Sequence, residues 1–177
     1  MARMLVYLDE VICHNTEDIT GADEFYVIGA ITTTDGQHSK AVVTRPMSIN
    51  DRQTLKFGPG GGYVFDTNVA DNTILQIEMI AFDEDAAKNI ERYDQARQLA
   101  NQALTVTPVS FGGASIALDA VRTLMQLDQD DELGTYRQPF HVWQMPQGCH
   151  FQQWNVHGGS TAFSDWNYWV RFWVCRF

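Results

Sequence analysis

The run Thr73-Ile74-Leu75-Gln76-Ile77-Glu78-Met79-Ile80-Ala81-Phe82-Asp83-Glu84-Asp85 decides how this chain folds. Ile74, Gln76, Glu78 and Ile80 alternate against Leu75, Ile77 and Met79, the period of two that belongs to a β-strand. The run then stops on the acidic cluster Phe82-Asp83-Glu84-Asp85. The same arrangement recurs on either side of it. Upstream, Gly21-Ala22-Asp23-Glu24-Phe25-Tyr26-Val27 leads from a polar stretch into the apolar run Phe25 to Thr33. Downstream stands a second acidic cluster, Leu127-Asp128-Gln129-Asp130-Asp131-Glu132-Leu133-Gly134, after which the chain becomes aromatic and Phe140-His141-Val142-Trp143 reads as a strand. Carboxylates crowded at strand ends repel one another unless a cation lies between them. A hard divalent ion with oxygen ligands is the simplest candidate, and Ca²⁺ suits a flexible all-oxygen site best. The competing reading is three solvated acidic loops in an acidic chain.

These motifs resemble the calcium loops of C2-like domains. Gly21-Ala22-Asp23-Glu24-Phe25-Tyr26-Val27 is similar to the Gly-x-Ser-Asp-Pro-Tyr-Val signature that follows the family's first calcium loop, with Glu17 and Asp18 where an upstream acid is expected. Asp83-Glu84-Asp85 is similar to the family's Asp-x-Asp, and Asp131-Glu132-Leu133-Gly134 to the later Asp-x-x-Gly. Ala22 stands in place of the Ser and Glu24 in place of the Pro, and some forty residues split the third loop. The resemblance implies a calcium site of Asp18 (or Glu17), Asp23, Asp83, Asp85 and Asp131, completed by backbone carbonyls and water. It further implies a non-catalytic recognition module for anionic lipid, carbohydrate or a protein partner.

Elsewhere the chain reads mainly as strands. Residues 4–14 are apolar, with Val6, Leu8 and Ile12 at even positions, and Lys40 to Thr44 forms a hairpin with the run ending at Asp35-Gly36. Residues 86–104 and about 114–126 are rich in helix formers and are broken by Pro108 and Gly112-Gly113, so an αα-hairpin is expected as an insertion at about 86–127. The segment 144–166 shows no periodicity, whereas Tyr168 to Phe177 alternates as a closing strand. The expected architecture is a single antiparallel β-sandwich domain over residues 1–177, of about eight strands and with that helical insertion.

Hydrophobic residues at 45% and aromatics at 12% indicate a folded globule. A net charge of −10 argues against nucleic acid and against unaided binding to an anionic membrane. Cys13, Cys149 and Cys175 make an odd set without paired spacing, which favours reduced, buried thiols over one bridge and a free thiol. No signal peptide is evident, so a cytoplasmic product, or one released without such a signal, is expected.

Catalytic readings fare poorly. Cys149-His150 is adjacent in sequence, but neighbours on a strand face opposite ways. Phe57-Gly58-Pro59-Gly60-Gly61-Gly62-Tyr63 lacks the Lys-Ser/Thr ending of a phosphate loop. Ser110, Ser115 and Ser164 lie in no nucleophile elbow, so no enzyme is expected. Trp154 and Trp166, in polar surroundings, are the tryptophans expected to be exposed. The alternative to a calcium module is a self-associating structural or toxin-component protein, a homo-oligomer in which the acidic loops are only structural.

Overall fold

The computed structural model describes residues 1–16, 23–58, 62–83, 98, 131–159 and 165–177. They form ten strands: β1 (Ala2–Asn15), β2 (Asp23–Thr33), β3 (Ser39–Val43), β4 (Met47–Ile49), β5 (Thr54–Lys56), β6 (Gly62–Val69), β7 (Ile74–Asp83), β8 (Asp131–His141), β9 (Gly148–Gly159) and β10 (Asp165–Arg176). A 3₁₀ turn, Val142–Gln144, links β8 to β9. The helical hairpin expected at about 86–127 lies outside the described residues except for Gln98, and the fold as described does not include it.

All pairings are antiparallel, and they make two sheets. Sheet A runs β5-β1-β10-β9, with β6 also on β1; sheet B runs β3-β2-β7-β8, with β4 also on β2. The sheets pack face to face. Met4, Val6 and Leu8 of β1 and Val170, Phe172 and Val174 of β10 meet Phe25, Val27 and Ile31 of β2 and Leu75, Ile77 and Met79 of β7 in one buried core. Tyr136 of β8 closes the sandwich against Phe172 and Trp154, with ring centroids 5.3 and 5.8 Å away.

The alternation in β1 changes phase where the sequence pattern does not show it. A bulge between Leu8 and Glu10 inserts one residue against β10. One extra residue turns each later side chain to the other face. Val11 and Cys13 therefore enter the core, and Ile12 turns outward instead of continuing the Val6–Leu8 row.

Sheet B is buried on both faces. Tyr26, Ile28, Ile80 and Phe82, on the face turned away from sheet A, form a second buried cluster. This accounts for the nearly continuous apolar character of β2, which would be wasted on a sheet with one wet face. Glu78 on the same face is also buried, and Arg137 of β8 reaches it at 3.1 Å.

Gly29 sets how closely β2 and β7 approach. A Cβ there would stand 2.4 Å from the backbone oxygen of Glu78 and 2.8 Å from Met79 Cγ. The obstruction includes main chain, which cannot rotate away. Gly29→Ala is expected to lower the unfolding free energy by about 2 kcal/mol. Urea titration checks this, with the midpoint falling at an unchanged slope.

Two expectations about the C-terminal part are corrected. Residues 144–166 include the 12-residue strand β9, which pairs with β10 without interruption from Gly148↔Arg176 to Gly159↔Asp165. Only Trp154 and Val156 are buried apolar positions on it, so its Gln, Asn, His and Gly residues hide the period. Trp154 is buried at 5% exposure rather than exposed. Trp166 is half-buried, its indole N–H donating to Leu133 O of β8 at 2.9 Å.

Cys149 and Cys175 face each other in the β9/β10 register and are joined as a disulfide, so the reduced-thiol expectation holds only for Cys13. Spacing along the chain could not show the pairing, because the register of two strands 26 residues apart sets it.

Candidate functional site

Strand register brings the acidic motifs to one end of sheet B. Asp23 begins β2, Asp83 ends β7 and Asp131 begins β8. Phe25 pairs with Asp83, and Asp83 pairs with Asp131, so three neighbouring strands deliver these residues together. Asp23 and Asp83 continue the inward-facing rows of β2 and β7, which places carboxylates where a core position would ordinarily be apolar. They are 1% and 3% exposed.

Each carboxylate is held. The Tyr168 hydroxyl of β10 donates to Asp23 Oδ2 across the gap between the sheets. Asp83 Oδ1 accepts the backbone N–H of Glu24 at 2.8 Å. Beneath them Tyr168 packs against Phe25, with centroids 4.9 Å apart, and pairs in register with Cys13 of β1. Asp51, in the turn after β4, accepts the Thr16 N–H at 2.8 Å and the Thr16 hydroxyl at 3.0 Å.

The field at this end of the sandwich is negative, and its neutral groups register it. Burial pushes the Cys13 thiol up to about 12, with the charges of Asp51 and Asp23 acting in the same direction. Burial also raises Tyr168, reinforced by its hydrogen bond to Asp23 and by the charges of Asp23, Cys13 and Asp83. Both groups are therefore protonated at neutral pH. A thiol in that form is neither a nucleophile nor a metal ligand.

The five sequence-derived ligands fare differently. Asp23 and Asp83 lie together at the site, and the backbone of Asp131 begins the strand beside them. Asp18 and Asp85 lie outside the described residues, as does Glu17. Among the described residues no group of three or more His, Cys, Asp or Glu side chains is placed to hold a metal ion. Calcium takes six to eight oxygens, so the described carboxylates alone do not compose its shell. Sequence reasoning missed Tyr168, Cys13 and Asp51. Tyr168 and Cys13 read as ordinary strand residues, and only the β1/β10 register places them under the acids.

The tail's aromatics divide between two surfaces. On the outer face of sheet A, His14 meets Trp169 at 4.3 Å and Arg171 lies 5.8 Å from both Trp169 and Phe151. Trp173 continues the row, 5.4 Å from Phe151 and 6.3 Å from Tyr7. Glu10 lies alongside, its carboxyl held below the usual range by hydrogen bonds from Lys56 and Arg171. Trp143, 47% exposed, stands apart on the turn after β8, against His141.

No protein-family model matches the chain, and no curated protein does. Among solved structures, 99% of the chain aligns with the C2A domain of plant extended synaptotagmin 1, at 10% identity and a TM-score of 0.38, covering 93% of that chain. Likewise 99% aligns with human GIVD cytosolic phospholipase A2, solved in complex with methyl gamma-linolenyl fluorophosphonate, at 9% identity and a TM-score of 0.44. The chain spans only 17% of the phospholipase.

Proposed function

We propose that this protein is a non-catalytic, calcium-binding C2-like recognition module, with the ion held at the acidic end of sheet B. The observation that carries this reading is the pair of almost wholly buried carboxylates, Asp23 and Asp83, on adjacent strands, with Asp131 next in register. Carboxylates converging at neighbouring strand ends supply the oxygen ligands that a hard divalent cation takes. The sequence resemblance to C2 calcium loops assigns Asp18, Asp85 and Asp131 to complete the shell. The bound ion would reduce the negative charge at that end and allow an anionic lipid headgroup, a carbohydrate or a protein surface to approach. The Cys149–Cys175 disulfide favours an oxidising compartment, and so a released product over a cytoplasmic one.

The test is thermal unfolding in chelator and in millimolar Ca²⁺. A ligand at a hundredfold excess over its Kd adds about 2.7 kcal/mol to the native state. For a domain of this size that raises Tm by about 5–10 °C. Asp83→Asn should remove most of the rise. Identical melts in the two conditions would withdraw calcium from the site.

A further inference from the structure

We propose that β9 is a self-association edge, pairing antiparallel with β9 of a second copy across a two-fold axis near the middle of the strand. An edge strand exposes a row of backbone donors and acceptors, and folded proteins ordinarily blunt it with charge, proline, bulges or shortness. Among the described residues, the other edges of this sandwich are blunted. β4 and β5 are three residues each, and β5 carries Lys56. β3 has five residues and an exposed Lys40. β6 carries Asp66, ion-paired with Arg3 at 2.7 Å. β8 contains Glu132, Arg137 and Pro139.

β9 carries none of these devices. Its sequence, Gly-Cys-His-Phe-Gln-Gln-Trp-Asn-Val-His-Gly-Gly, has no proline and no Asp, Glu, Lys or Arg over 12 residues. Its register with β10 is free of bulges, and among the described residues it pairs with β10 alone. The disulfide between Cys149 and Cys175 ties it to its neighbour, so the edge is ordered before any partner arrives.

Self-complementarity points to a second copy as the occupant, and charge limits where it can approach. Each chain carries a net charge of −10, so two copies repel almost everywhere. The uncharged β9 edge is where that repulsion has least purchase, and a strand without charges is complementary to itself. Antiparallel pairing of identical strands is isologous and closes at a dimer. It would extend sheet A continuously through both copies and bring Phe151, 46% exposed, toward the partner strand.

The test is sedimentation from low to high micromolar concentration in chelator, so the outcome does not depend on calcium. The mass should rise from 20.1 kDa toward twice that value. The double variant Asn155→Lys/His157→Lys changes two exposed positions of β9 and moves the net charge from −10 to −8. Non-specific association would strengthen as repulsion falls, whereas strand pairing should be lost at unchanged circular dichroism. Hydrogen exchange of the wild-type protein supplies a second readout, with β9 amides gaining protection only at high concentration. A mass of 20.1 kDa throughout overturns the pairing and leaves the edge to a strand from another protein. A folded Lys variant that still dimerises overturns it, as does β9 exchange that is independent of concentration. A distribution running beyond the dimer overturns the closed two-fold arrangement.

Discussion

Raising the pH from 8 to 12 is expected to remove about 4 kcal/mol of stability through Cys13 alone, and more through two tyrosines. The Cys13 thiol ordinarily titrates at 9.0 and is pushed up to about 12 in the folded chain, first by burial and then by Asp51 and Asp23. Between those values the unfolded chain has lost a proton that the folded chain keeps. A raised folded-state pKa contributes stability that is fully present below the unfolded value and lost as pH climbs through the folded one. Three units at about 1.4 kcal/mol each give the stated loss. Burial raises Tyr136 from 10.0 to about 12 and raises Tyr168 as well, so the decline should steepen above pH 10. Denaturant midpoints measured at pH steps from 8 to 11 read this directly. Cys13→Ala should flatten the first part of the curve and leave the tyrosine-driven part. A wild-type profile that is level from pH 8 to 11 would mean these groups are far better solvated than their packing shows.

That loss is a large fraction of the total stability of a folded domain. It follows first from burying Cys13 and the tyrosines, with the carboxylates beside Cys13 and Tyr168 acting in the same direction. Asp23 and Asp83 occupy inward-facing positions, so the groups beneath them, Tyr168 and Cys13, must remain neutral for the sandwich to close. The same placement that costs stability at high pH is what the proposed calcium site requires. The alkaline sensitivity due to Cys13 and Tyr168, on β1 and β10, and calcium-dependent stabilisation should therefore map to the same end of the sandwich.

Much of this was legible in the sequence, and what was not has identifiable physical causes. β2 and β7 could be read because their side chains face buried environments and their apolar residues are nearly continuous. The convergence of Asp23, Asp83 and Asp131 could be anticipated because each stands at a strand end and because the motifs resemble the calcium loops of C2-like domains, which implies one shared site. β9 was invisible because only Trp154 and Val156 mark its inner face, while Gln152 and His150 share it. The exchange of Ile12 for Val11 and Cys13 in the core depends on a one-residue bulge, which leaves no trace in composition. Tyr168 and the disulfide are products of the β10 register, a long-range quantity that no local pattern encodes.

The disulfide carries the second large effect. Cys149 and Cys175 are 26 residues apart in sequence, and closing a loop of that size restricts the unfolded chain by about 3.5 kcal/mol in the chain-entropy account. The two residues lie opposite each other on strands that already pair along their whole length, so the native state changes little when the bond is cut. Most of the effect should therefore appear as a more expanded unfolded state. Cys149→Ser/Cys175→Ala is expected to lower the denaturant midpoint in line with that free energy while the circular dichroism of the folded protein is preserved. Cys149 is exposed and Cys175 is fully buried, so a thiol reductant should reach the bond from the Cys149 side without prior unfolding. Cys13 is buried and held as a thiol, so it should not exchange into the bond at neutral pH. Hydrogen exchange at low protein concentration locates the consequence: residues 148–159, which among the described residues pair with β10 alone, should lose protection before β1 or β7 does. An unchanged midpoint after removal of both cysteines would show that strand pairing alone fixes β9, and that the bond adds nothing the register had not already provided.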